Sequence, residues 1–125
     1  MHAAVVSEAG RPPRYAEFRE PSIQAGEVLV SVRAAALSPL AKGRASGRHY
    51  SADGSLPMVA GVDGVGLAQD GRRVYFALPE APFGAMAERT KVQASHCIEV
   101  PPGLDDITAA AIANPGMSAW AARIA

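Results

Sequence analysis

Ser38, Lys42, Tyr50, Asn114 and Ser118 carry groups that can meet a small polar ligand, and Met117 lies beside the last of them. The phenol of Tyr50 can donate a hydrogen bond to a developing oxyanion and, if its acidity is tuned, release its proton. The alternative is a loop tyrosine with its hydroxyl in water. Ser38 lies in a Leu37-Ser38-Pro39 turn, where it can orient a ligand or serve only as a turn residue. Lys42, Arg44 and Arg48 form a basic run, with no acidic residue between Glu27 and Asp53. Such a run can pair with phosphate groups or form a solvated face. Of the three, Lys42 is the candidate ligand contact.

Asn114 followed by Pro115 reads as the N-cap and first position of a helix. The backbone N–H groups of a first helical turn lack partners within the helix and can meet a ligand. Met117 and Ser118 fall in that turn. Equally, Asn114 can cap and Met117 can fill core. His49 adjoins Tyr50 and could assist it, although a lone loop histidine is more often solvated. His96 and Cys97 are neighbours in one expected strand, so their side chains point to opposite faces and cannot pair. Cys97 reads as a core thiol.

Positioning such groups takes a folded core, and the composition supplies one. The chain has 125 residues, 49% of them hydrophobic and 19% charged, which argues for a single globular domain rather than disorder. Twelve basic residues balance twelve acidic ones, so no strong field favours nucleic acid or an anionic membrane. One cysteine excludes an internal disulfide framework and a cysteine-based zinc cluster. The start shows no apolar signal region. The longest uncharged stretch, Ile107 to Ala122, is short and broken by Asn114-Pro115-Gly116. The expectation is a cytoplasmic protein.

The frequent glycines and prolines favour short strands and turns. Strands are expected at Ala3–Ser7, Tyr15–Arg19, Val28–Ala36, Gly61–Ala68, Arg73–Ala77, Gly84–Val92 and Cys97–Val100. In the third, alternation places Val28, Val30, Val32 and Ala34 on one face. Asp70-Gly71 signals a two-residue hairpin. After Pro101-Pro102-Gly103 the texture turns helical. Asp105 or Asp106 can cap a helix through Ala113, and Asn114 can start a second. The fold expected is mainly β, a distorted barrel over residues 1–103 with two C-terminal helices over 104–125. The glycines of Gly61-Val62-Asp63-Gly64-Val65-Gly66 are spaced G-x-x-G-x-G and precede a hairpin. They read as close-packing strand glycines and not as a dinucleotide fingerprint.

Four segments in order resemble the medium-chain dehydrogenase/reductase superfamily: PSIQAGEVLVSVRAAA from Pro21, LPMVAGVDGVG from Leu56, GRRVYF from Gly71 with GAMAE from Gly84, and Leu104–Trp120 ending in AAIANPGMSAW. The likeness is to the zinc-free quinone oxidoreductases and covers nearly all of the chain. It implies a GroES-like catalytic domain, with a nucleotide-binding domain to follow. Zinc members carry a cysteine near position 38 and a histidine at position 62, where this chain has Ser38 and Val62. Valine has no lone pair for a metal, so no metal is expected. Asp63 stands at the family's glutamate position, as a polar anchor.

The resemblance implies NADPH-dependent reduction of quinones or α,β-unsaturated carbonyls by hydride transfer. Tyr50 and Ser38 would then be catalytic, and Lys42, Asn114, Met117 and Ser118 would contact the cofactor. By itself this chain is expected to be inactive and to bind NADPH weakly or not at all, because the pyrophosphate site belongs to the other domain. The expected partner is a small carbonyl or quinone substrate. The apolar side of the Met117–Ile124 helix would suit a homodimer. Non-catalytic readings are a co-chaperonin-like barrel or an assembly module within a larger synthase, since fold alone does not give function.

Overall fold

The computed structural model describes residues 1–46 and 56–124. Two antiparallel sheets make up the body. Strands β1 (His2–Val6), β2 (Arg14–Glu17) and β4 (Met58–Val59) form the smaller one, in the order β2-β1-β4. Strands β3 (Glu27–Ala35), β5 (Asp63–Ala68), β6 (Arg73–Ala77), β7 (Arg89–Gln93) and β8 (Cys97–Glu99) form the larger, in the order β7-β3-β5-β6-β8. A short helix α1 (Pro39–Ala45) follows β3, and a long helix α2 (Asp106–Ile124) ends the described chain. The mainly β, GroES-like architecture is as expected from the sequence.

The sheets are joined by the stretch before β7. Sequence alternation predicts one strand from Gly84 to Val92, but regular pairing begins only at Arg89. The earlier half is a linker: Ala4 N–H donates to the Met86 carbonyl, and Glu88 N–H donates to His2. Glu88 also accepts from Val32 N–H on the larger sheet. One extended segment thus satisfies backbone groups of both sheets, which closes the curl.

Strand β3 departs from simple alternation. Its pairing with β5 shifts between Val32 and Ala34, a bulge that places Arg33 opposite no residue. Val28 and Val32 flank the cluster of Val30, Ala68, Val74, Phe76, Ala85 and Val92 inside the curl. Ala34 was expected on their face, but it packs instead with Val65, Tyr75, Ala109 and Ala110 beneath α2. A one-residue slip reverses every later side chain. The same bulge lets Arg33 reach Asp106 at 3.6 Å, beside the Arg73–Asp106 pair at 3.0 Å.

The Asp70-Gly71 hairpin forms with a three-residue loop rather than two. Leu67 pairs with Arg73, Ala68 N–H donates to the Arg72 carbonyl, and Gly71 adopts a left-handed φ of 88°. That is a turn followed by a glycine bulge, which needs a residue free of Cβ strain. His96 lies in a single 3-10 turn (Ala94–His96) before β8, so only Cys97 is in strand. The Cys97 side chain packs against the core cluster, and burial raises its thiol pKa.

The two expected C-terminal helices run as one. Asp105 starts it, its carboxylate accepting from Thr108 N–H at 2.7 Å and from the Thr108 hydroxyl at 2.8 Å. Asn114 therefore lies inside the helix and is not a cap, and Pro115 is internal. Proline removes one helical hydrogen bond, here at an exposed position, where water can serve the freed Ala111 carbonyl. The surrounding alanines favour continued helix.

Candidate functional site

Helix α1 had no expectation in the sequence, and it positions the first candidate. Ser38 is its N-cap: the hydroxyl oxygen accepts from Ala41 N–H at 3.1 Å. A hydroxyl that accepts through a lone pair still has its proton to donate. The residues before it are held by the sheet, where Ala36 N–H donates to the Asp63 carbonyl at 3.2 Å. The exit of β3 is thereby tied to the first residue of β5.

Ser38 faces a hollow of about 660 Å³ between the β3 exit and α2. Its walls include Ala34, Ala35, Ala36, Leu37, Ile107, Ala110 and Ala111, and Ser38 and Asn114 are the residues with polar side chains on its lining. Asn114 is half-buried. Small aliphatic walls with a few convergent donors are what a flat, weakly polar ring requires. The alanines of α2 are central to this shape, because Ala109 and Ala110 are buried against the sheet and let the helix lie close.

The other candidates are elsewhere. Met117 is half exposed, and neither it nor Ser118 lines this hollow. The Ser118 hydroxyl donates to the Asn114 carbonyl at 3.4 Å, a bond within the helix. Lys42 is exposed and lines a different hollow, on the far side of Leu37. Tyr50 and His49 lie outside the described residues.

Asp63 is the polar residue whose importance the sequence understated. It is 1% exposed, and its Oδ2 accepts from the Tyr75 hydroxyl at 2.8 Å, while Oδ1 has no partner among the described residues. Burial raises its pKa, partly offset by the Tyr75 bond. Tyr75 is likewise pushed up, first by burial and then by its bond to Asp63. The consequence for stability has a definite sign. Between the ordinary carboxyl value and the raised folded one, the native state holds a proton that the unfolded state has lost. Stability therefore falls as pH rises through that window. Asp63→Asn has no such proton, so the variant's melting temperature should gain on the parent's as pH rises through the acid range. A gap that stays constant with pH would count against a raised Asp63.

Val62 is buried and offers no donor atom. Among the described residues, no three His, Cys, Asp or Glu side chains converge. No helix of the described residues is long and apolar enough to cross a membrane.

No family model matches the chain. A probable NADPH-dependent quinone reductase of Emericella nidulans is 28% identical over 153 aligned positions, covering 98% of this chain and 43% of that protein. The quinone oxidoreductase of Thermus thermophilus, solved alone and with NADPH, is 28% identical with a TM-score of 0.74, over 85% of this chain and 34% of its own. A mycobacterial quinone oxidoreductase superposes with a TM-score of 0.83 at 26% identity, over 95% of this chain and 39% of its own. The chain thus spans less than half the length of these relatives. Fold and sequence together make it a GroES-like domain similar to that of the NADPH:quinone oxidoreductases in the medium-chain dehydrogenase/reductase superfamily.

Proposed function

We propose that this chain forms the substrate-side wall of an NADPH-dependent reductase acting on quinones or α,β-unsaturated carbonyls, without a metal. The observation that carries the reading is the convergence of Ser38 and Asn114 on one alanine-walled hollow beside the β3 exit. The hollow suits the flat carboxamide-bearing ring of a nicotinamide, or a quinone ring of similar thickness. The diphosphate end of such a cofactor finds no glycine-rich strand-to-helix turn among the described residues, so its binding is assigned to a separate nucleotide-binding domain. When bound, NADPH supplies the hydride for the β-carbon of the conjugated carbonyl.

The chain's own part is positional and electrostatic. The β-carbon gains a C–H bond, and the displaced electron pair collects on the carbonyl oxygen. Hydroxyl donors from Ser38 and from Tyr50 would steady that oxygen, with the proton following from a donor or from water. Asn114 would orient the ring through its amide.

The test joins the chain to a nucleotide-binding domain and follows NADPH oxidation by an enone. Ser38→Ala and Tyr50→Phe should each lower kcat by about a hundredfold, the usual loss for one oxyanion donor, with a smaller change in the KM for NADPH. Unchanged turnover in both variants would remove the assignment. The chain alone, titrated with NADPH, should show no saturable binding at micromolar concentrations.

A further inference from the structure

Leu37 separates two hollows. One holds Ser38 and Asn114. The other, about 360 Å³, lies between the loop joining β1 to β2 and the side of α1 that carries Ala41, Lys42 and Ala45. Its floor is apolar: Ala41 and Ala60 are each 3% exposed, and Met86 is half-buried beneath them. Pro12 and Pro13 add walls of fixed backbone φ, and Leu37 adds an apolar one. Two cations, Arg11 and Lys42, also line it, and no carboxylate does among the described residues. Glu8 meets Arg11 at 3.6 Å from outside the hollow, through side chains that are both largely exposed. Such a pair is weak and easily rearranged.

An apolar floor with two positive groups on its lining has an electrostatic complement in one class of small molecule, an apolar body carrying a carboxylate. We infer that this second hollow binds the acidic end of a conjugated organic acid, with Lys42 and Arg11 as its specificity-determining residues. A long lysine stem can cover the apolar surface while its ammonium meets the carboxylate. Leu37, the wall between the hollows, is 67% exposed, so the conjugated part of a ligand seated here would pass over its solvent side toward Ser38. The inference rests on the reductase reading only for that last step. Capture of the acid itself needs neither cofactor nor turnover. Lys42 thereby recognises the substrate's charge rather than a cofactor phosphate.

The experiment is a titration of the isotopically labelled chain with trans-cinnamate and, separately, with trans-cinnamamide, followed by amide chemical shifts. Cinnamate should move the amides of Arg11, Leu37, Lys42 and Met86 along one saturable curve. Cinnamamide should bind about fivefold more weakly, the worth of an exposed charge pair. Lys42→Gln should reduce that preference, and Arg11→Gln with Lys42→Gln should remove it, both leaving cinnamamide affinity unchanged, which a mere loss of folding would not do. Equal affinity for acid and amide overturns the inference, as does a preference that survives undiminished when both Arg11 and Lys42 are replaced by glutamine. Shifts confined to Ile107 and Asn114 also overturn it, by placing the acid in the other hollow. No cofactor is present, so failure here is separate from failure of the hydride-transfer reading, which the Ser38→Ala and Tyr50→Phe kinetics decide.

Discussion

Gly66→Ala should remove a large share of the stability of this domain. A Cβ built on Gly66 meets the Ser31 carbonyl oxygen at less than any permitted contact, and lies 2.7 Å from Cγ1 of Val30. Backbone is the obstacle, so no rotamer change relieves it. Strands β3 and β5 would have to separate at the Val32–Gly66 pair, in the middle of their shared register. Overpacking a core commonly costs about 1–3 kcal/mol, and a backbone clash falls at or above the upper end. Against a typical total of about 5–15 kcal/mol, that is a large share. At about 4–8 °C per kcal/mol for a small domain, the melting temperature should fall by roughly 12 °C or more. The control is Gly103→Ala, where nothing lies within 4 Å of the added carbon. It should stay within about 0.5 kcal/mol of the parent. Thermal melts by circular dichroism read both, and a Gly66→Ala melt within a few degrees of the parent would refute the close approach of β3 and β5.

The role of Gly66 is legible in the sequence alone. Its spacing, and the hairpin that follows, pointed to strand glycines in close approach. Gly64 behaves the same way, with the Ala34 carbonyl oxygen 2.5 Å from its notional Cβ. The central strand was equally plain from its alternating valines, and the return strand Arg73–Ala77 falls where expected. Local chemistry sets these features, so local sequence reveals them. The bulge at Arg33 has no such mark. It arises because β3 pairs with β7 on one side and β5 on the other, and their demands cannot be read from β3 alone. Helix α1 was missed for a related reason. Its seven residues include Pro39 and Gly43, a poor helix by propensity, and it persists because Ser38 caps it and Ala41 is buried.

The candidate site was half legible. Residue types named Ser38 and Asn114, but their meeting depends on α2 crossing β3, a contact between segments some seventy positions apart. Lys42 shows the converse of that meeting. It is one helical turn from Ser38 in sequence, yet Leu37 divides their hollows. Asp63 drew notice as a polar anchor without a partner. Only the register of β5 with β6, which sets Tyr75 beside it on the same face, could identify its hydroxyl donor.

Phe76→Ala should be the costliest single truncation in the core. Phe76 is fully buried and is the largest of the fully buried side chains. Its ring tip lies 3.1 Å from where a Cβ on Gly64 would stand. The ring therefore occupies the space that the glycine leaves open, and neighbours Val30, Val74 and Val92 close around it. β-branched valines have little rotamer freedom with which to collapse into a void. The expected loss is about 3–5 kcal/mol, read as a lowered denaturant midpoint with the slope unchanged. The pairing of large ring and absent Cβ gives a sharper check. In Phe76→Ala the ring no longer limits Gly64, but the Ala34 carbonyl still does, so adding Gly64→Ala should restore no stability. Recovery in that double variant would mean that the ring, and not the β3 backbone, sets the need for glycine at position 64.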